Sequence, residues 1–320
     1  MIDKHTKQDI KVELVGGLGN QLFGLFFAVA VSEKFKCNFV LDKTLISLGS
    51  NSSRKLELEK FQFLDKKIDF TESKVSKIPC LPRTRFGRRI IARLALMKNA
   101  FDFEKSEVKL EFESRYRGYF QDWLFADSIE SNLLKNNFTI DKLSIILKNH
   151  LQDLSNENPI LVHVRLGDYL KFSNVYQLLP EQYYLNAIKF LNEAKPHRPV
   201  WLITENSSEV KSMYPNLASL VSRWLDQGSE LQDYEVFYLM ANCEHLVASN
   251  STFSLWAAWF TANRHGEVVV PSEFLVSGVQ SKLIDSRWNQ IDLTNYKIIK
   301  KTDLNEIRRR NKLRFDELFV

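Results

Sequence analysis

Residues Ile160 to Leu170 read ILVHVRLGDYL. The apolar run Ile160 to Val162 leads into His163, Arg165, Gly167, Asp168 and Tyr169, so a buried strand gives way abruptly to polar chemistry and a turn. The carboxyl end of such a strand is where open α/β sheets bind ligands. A guanidinium held there stays charged and presents a planar fork of donors that fits a phosphate. The same residues also suit a structural ion pair between Arg165 and Asp168 at a strand terminus. The sequence on either side has to choose between them.

Downstream, strand candidates PILVHVR, PVWLIT, HLVAS and EVVV alternate with helix candidates around Glu181 to Ala194, Glu209 to Tyr214, Leu231 to Cys243 and Phe253 to Arg264. That alternation predicts an α/β architecture, a parallel sheet with helices on both faces. A parallel sheet places all its carboxyl ends on one edge, which collects Arg165 and Asp168, then Thr204 and Glu205, then Asn250, Ser251 and Thr252. The stretch Asn250 to Ser254, NSTFS, ends a strand and opens a helix. Its hydroxyls fit ordinary helix capping, and with the helix amides they equally fit a phosphate cradle. Glu205 could accept two hydrogen bonds from a base edge or be an exposed loop carboxylate. No GxxxxGK run exists, and the nearest approach to Asp-x-Asp, Asp233-Tyr-Glu235, falls in a predicted helix. A bound diphosphate would therefore be neutralised by protein cations, with no metal expected.

Upstream, Ile10 to Val15 reads as a strand, followed by GGLGN at Gly16 to Asn20 and the helix QLFGLFFAVAVSEKF. That helix is apolar almost all round, which predicts burial. Strand, glycine loop and helix start together make a backbone nest for an anion or a substrate hydroxyl. Gly17, Gly19 and Asp42 imitate an NAD fingerprint, but Leu22 stands where its third glycine belongs, which disfavours an NAD-dependent oxidoreductase. Between Asn51 and Lys109 lie Pro79, Pro82, a basic run from Arg83 to Arg93 and a helix candidate, RRIIARLALMK. Its basic face suits either solvent or an anionic membrane surface. RYRGYFQDWLF, Arg115 to Phe125, is dense in aromatics that suit a core or a sugar-stacking face. Helices are expected at Leu124 to Asn136 and Ile140 to Gln152, and the polar stretch Ser155 to Pro159 reads as a domain boundary. The expected organisation is a first domain over 1–155, a second over 156–288 and a basic, helical tail over 289–320.

The 320 residues are 44% hydrophobic with a net charge of +5. That is mildly basic, and no nucleic-acid-binding motif accompanies it. Cys37, Cys80 and Cys243 are odd in number without paired spacing, which points to a reducing compartment and no metal cluster. No run has the length of a signal peptide or a membrane span. The four Asn-x-Ser/Thr sequons, at Asn51, Asn137, Asn206 and Asn250, are accordingly read as chance.

Four separated stretches, GGLGNQLF with its following FA helix, RGYFQ, HVRLGDY and MANCEHLVASNSTFSLWAAW, resemble the bacterial type of the galactoside 2-alpha-L-fucosyltransferase family, glycosyltransferase family 11. The resemblance runs from about Val12 to Phe260. It implies a GT-B fold, with two Rossmann-like domains facing across a cleft, the acceptor mainly on the first and GDP-fucose mainly on the second. It also implies an inverting, metal-independent hexosyltransferase that needs no cofactor. Such an enzyme would form an α-1,2 linkage on a β-galactoside-terminated or lipid-linked glycan in surface polysaccharide such as O-antigen or capsule. Carried onto this chain, Arg165 would bind the diphosphate, with His163 and Asp168 shaping the pocket and Tyr169 packing beneath it. Ser251, Thr252 and Phe253 would meet the phosphates, Asn250 would fix the turn, and Gly17, Gly19 and Asn20 would close over the reaction centre. Arg165, Asn20 and Asp168 are the catalytic candidates, and the general base is left unassigned. Two departures stand out: Leu166 replaces a frequent second arginine, and Thr204-Glu205-Asn206 replaces the usual Ser-Asp-Asp, which makes Glu205 the candidate guanine reader. The absence of a leader places the expected enzyme in the cytoplasm, peripheral to the membrane at most. The alternatives are a transferase of the same fold using another GDP-sugar or forming another fucosyl linkage, a non-catalytic sugar-binding module, and, more distantly, the oxidoreductase.

Overall fold

A computed structural model of the chain describes residues 9–48, 55–63, 66–72, 101–102, 115–129, 138–171, 174, 176–193, 197–275 and 282–319. They form two compact units, one of Met1–Thr139 with Arg308–Val320 and one of Ile140–Ile307.

The first unit holds β1 (Ile10–Glu13), α1 (Leu18–Phe35), β2 (Phe39–Asp42), α2 (Thr44–Leu48), β3 (Phe61–Phe63), β4 (Lys66–Lys67), β5 (Phe70–Thr71), β6 (Phe101–Asp102), β7 (Arg115–Arg117), α3 (Leu124–Ser128) and most of β8 (Phe138–Ile140). Its main sheet has the order β5-β2-β1-β7-β6, and each of its pairings is parallel. β1 is central, so β2 and β7 leave it on opposite sides. The apolar α1 is buried from Leu18 through Ser32 apart from Asn20, as a helix without a polar face must be. Phe27 stacks on Phe120 at 4.0 Å and meets Tyr116 and Phe125 edge-on, which places most of the RYRGYFQDWLF aromatics in the core. A Cβ on Gly24 would sit 2.9 Å from Leu14 Cδ2. Gly24, two residues beyond Leu22, therefore lets this helix lie close to β1.

The second unit contains α4 (Ile145–Glu157), β9 (Ile160–Val164), α5 (Gly167–Lys171), α6 (Glu181–Asn192), β10 (Val200–Thr204), α7 (Ser207–Met213), α8 (Pro215–Leu220), β11 (Val221–Asp226), α9 (Asp233–Ala241), β12 (His245–Val247), α10 (Thr252–Asn263), β13 (Glu267–Pro271), β14 (Asn289–Ile291) and β15 (Ile298–Ile299). Its seven-stranded sheet runs β11-β10-β9-β12-β13-β14-β15, parallel throughout except for the β14/β15 pair. Every residue of β9 and β10 is buried, which is why both are apolar along most of their length. Both sheets are Rossmann-like, and the expected α/β class is what the chain adopts.

The chain divides at 139/140 rather than at the polar stretch Ser155 to Pro159. That stretch is the end of α4, closed by Asn158 in the left-handed conformation at φ 45°. α4 is fastened to the second sheet: Glu157 accepts from Trp201 Nε1 at 3.1 Å and from Arg223 at 2.8 Å, and Asp153 accepts from Arg223 at 2.6 Å. Residues 289–320 likewise differ from a tail. β14 and β15 extend the second sheet, and the helix α11 (Leu304–Glu317) returns to the first unit from Arg308 onward. There Asn311 donates to Asp127 at 2.6 Å, Arg314 to Asp122 at 2.9 Å, and Phe315 meets Phe125 edge-on. The helix expected at Leu124 to Asn136 is seen over Leu124–Ser128, and its remainder lies outside the described residues. The Arg83 to Arg93 run and RRIIARLALMK lie outside them as well. Among the described residues, no helix is long and apolar enough to cross a membrane.

Candidate functional site

β9 is the first strand of the second sheet, with β10 and β11 following on one side before the chain crosses back to place β12 on the other. The gap beyond the carboxyl ends of β9 and β12 is thus the point where strand order reverses, the position at which open α/β sheets take ligands. His163 occupies β9 there, fully buried, with Nδ1 3.0 Å from the Ser249 hydroxyl and its ring 5.6 Å from that of Phe253. Burial, with the nearby positive charge of Arg165 in support, lowers its pKa from 6.5 to about 3, so the imidazole is neutral. Its Nε2 is buried without a hydrogen-bond partner among the described residues.

Arg165 follows β9 immediately. Its guanidinium pairs with the carboxylate of Glu205, which follows β10, and lies over the Tyr169 ring at 5.9 Å. Glu205 also accepts from the Leu166 amide at 3.4 Å. Arg165 and Glu205 are 19% and 23% exposed, so the pair borders solvent. Tyr169 stacks on Tyr176 at 4.4 Å and donates its hydroxyl to the Asn250 carbonyl at 2.7 Å, linking the β9 end to the β12 end. Asp168 lies in α5, three residues beyond Arg165.

The turn after β12 is built by its own side chains. Asn250 donates from Nδ2 to Gln177 O at 2.8 Å and to Phe274 O at 3.0 Å, so its buried amide pins two other segments. Ser251 caps α10, accepting from the Ser254 amide at 3.2 Å, with its hydroxyl 3.3 Å from that of Ser249. The capping reading of this hydroxyl is therefore realised, in the same turn as the candidate cradle. Thr252 and Phe253 open the helix, both half-buried.

The structure brings His163, Arg165, Glu205, Asn250, Ser251, Thr252 and Phe253 to one sheet edge of the second unit. Gly17, Gly19 and Asn20 belong to the first unit, at its own reversal point between β1 and β7. Gly17 is the residue preceding α1 with ordinary extended backbone, and Gly19 is buried in its first turn. The left-handed glycine is Gly16 at φ 72°, and a Cβ there would strike Asn20 Nδ2 at 2.4 Å. Asn20 accepts from Gln121 Nε2 at 2.9 Å, a bond across the gap between β1 and β7. Gln21 next to it donates to Gly16 O and Lys55 O and accepts from the amides of Glu57 and Leu58. Asp42, the acid that imitated a ribose ligand, accepts from Thr44 N, Thr44 Oγ1 and Arg115. Arg115 and Arg117 both also bind the buried Glu13, at 2.5 and 2.7 Å. Ser249, Gln21 and Gln121 were not singled out from sequence; the first directly precedes the Asn250 to Ser254 stretch and carries no pattern of its own. Among the described residues, no group of three or more His, Cys, Asp and Glu side chains is placed to hold a metal ion.

The profile of glycosyl transferase family 11 matches residues 110–290, and the chain belongs to that family. It is 28% identical over 299 residues to the O-antigen biosynthesis glycosyltransferase WbnK of Escherichia coli, covering 86% of this chain and 98% of that one. It is 27% identical over 284 residues to the alpha-1,2-colitosyltransferase of Escherichia coli, covering 82% and 91%. Galactoside alpha-(1,2)-fucosyltransferase 1 of Saimiri sciureus is 27% identical over 121 residues, covering 35% of this chain and 31% of its own length.

Proposed function

We propose that the protein transfers L-fucose from GDP-β-L-fucose to a galactoside hydroxyl with inversion, forming an α-1,2 linkage in the synthesis of a surface polysaccharide. The observation that carries this reading is the junction of Arg165 with the Asn250 turn, through Tyr169, at the reversal point of the second sheet in a family 11 chain. In this reading the two units form a GT-B pair, with acceptor on the first and nucleotide on the second. The acceptor hydroxyl attacks the anomeric carbon as the bond to the diphosphate oxygen breaks, and the hydroxyl proton passes to a base or to the departing diphosphate. Negative charge grows on that diphosphate, so donors already aimed at it lower the barrier most. Arg165 and the amides and hydroxyls at the start of α10 supply them, without a metal. His163, being neutral, adds no charge to the pocket, and the buried Asn250 amide holds the turn in shape. A cytoplasmic enzyme resting on the membrane beside a lipid-linked acceptor fits this role.

The colitosyltransferase relative favours a second reading, in which the donor is a different GDP-sugar. Mass spectrometry of products from β-galactosides with GDP-fucose, with GDP-mannose and EDTA as parallel arms, tests both. A fucosylated product that persists in EDTA is expected. Turnover of GDP-mannose alone would select the second reading, and no turnover with no stabilisation by GDP would reject the donor site.

A further inference from the structure

The proposed mechanism makes no use of the negative charge that Glu205 places on Arg165. Its carboxylate takes a guanidinium and the adjacent Leu166 amide at once, the same kinds of donor that a phosphate oxygen would take from this strand end. One oxygen lies where side chain and backbone are tight: a Cβ on Gly167 would come within 3.2 Å of Glu205 Oε1. Glu205 is thus engaged through both oxygens at the edge of the sheet. It follows β10 while the pocket turn follows β12, so it approaches Arg165 from the side away from Asn250 and Ser251.

We propose that Glu205 competes with the donor diphosphate for Arg165 and so sets how weakly the nucleotide is held. The proposal rests on the donor-site reading of Arg165. Like charges repel across a site partly shielded from water more strongly than in bulk solvent, so an arriving diphosphate meets a cation already neutralised. It gains Arg165 only as Glu205 turns out toward solvent, which its partial exposure allows. After transfer, the return of Glu205 to Arg165 offsets the attraction that would otherwise retain GDP. The residue therefore tunes affinity for the diphosphate whatever base is attached, whereas a guanine reader would act on GDP alone.

Titration calorimetry on wild type and Glu205→Gln with inorganic pyrophosphate, UDP and GDP tests this. The amide keeps the size of the side chain and removes its charge. All three ligands are expected to bind the variant about two- to fivefold more tightly, the scale of an ion pair at a site bordering solvent. The KM for the donor should fall in parallel, with stronger product inhibition by GDP. Selective weakening of GDP would overturn the proposal in favour of base recognition, and equal weakening of all three would make Glu205 a positioning residue for Arg165. Unchanged binding would overturn it too, as would a fall in kcat with KM unmoved. If the wild type binds none of the three, the donor-site reading itself fails, which the variant comparison alone would not indicate.

Discussion

Both units pair arginine with acids at their main sheet, and they do so in opposite ways. In the first unit Arg115 and Arg117 are tied to Glu13 and Asp42, two acids each only 2% exposed. In the second, Arg165 pairs with Glu205, an acid that borders solvent. A buried carboxylate held by several donors is a permanent part of the framework, since removing either partner leaves an uncompensated charge away from water. A carboxylate in partial contact with solvent can leave. Two sheets of similar design thus separate an arginine cluster that holds strands together from an arginine that can change partners.

The sharpest way to break this contrast is Arg115→Ala, which strips Glu13 and Asp42 of one donor each. We expect a loss of about 3–5 kcal/mol of stability, read as a lower urea midpoint, because the charges left behind are buried. A midpoint within error of wild type would erase the distinction between the edges. Arg165→Ala should do the reverse: unfolding close to wild type but turnover reduced at least about a hundredfold, the effect of losing one donor to a developing anion, about 2.7–4 kcal/mol. Lysine at that position should restore little, as a point charge lacks the fork. Normal turnover in folded Arg165→Ala would remove this residue from the mechanism.

The smallest expected effect concerns His163. Its pKa is depressed from 6.5 to about 3, so the unfolded chain binds a proton there that the folded chain excludes. Stability from this group is complete above pH 6.5 and falls as the pH drops toward 3, by about 1.4 kcal/mol per unit within that window. Unfolding of His163→Asn between pH 6.5 and 4.5 should show a slope shallower by that amount. Equal slopes in both proteins would show that the imidazole reaches solvent.

The second sheet was legible because burial on both faces writes itself as apolar runs, as in β9, β10, β12 and β13. β11 escaped notice since its sequence, VSRWLD, is neither an apolar run nor a strict alternation. It is the edge strand, and its Arg223 and Trp224 are covered by Trp201 and Lys211 through cation–ring contacts at 4.1 and 4.6 Å rather than by apolar packing. β14 and β7 are three residues long, too short for any periodicity. Among site residues, those on the sheet edge could be placed from strand ends alone. The ion pair of Arg165 with Glu205 could not, because pairing of β9 with β10 brings Glu205 in from forty residues away. Boundaries failed for a related reason. Polar residues at Ser155 to Pro159 look like a linker until Asn158 is seen closing a helix and donating to Glu244 at 2.6 Å.

The return of α11 to the first unit bears on the order in which the protein can be made. On emergence from a ribosome, the first unit has its sheet but lacks Asn311, Arg314 and Phe315 until the whole of the second unit, which lies between, has appeared. Domains that are continuous in sequence can close as they are synthesised; this one must wait for a helix that follows the whole of the second unit. A truncation near residue 307 would therefore damage the first unit rather than the second, so any contact of the basic helix with lipid is better probed by reversing charge at the exposed Arg309, Arg310 and Lys312 than by deletion.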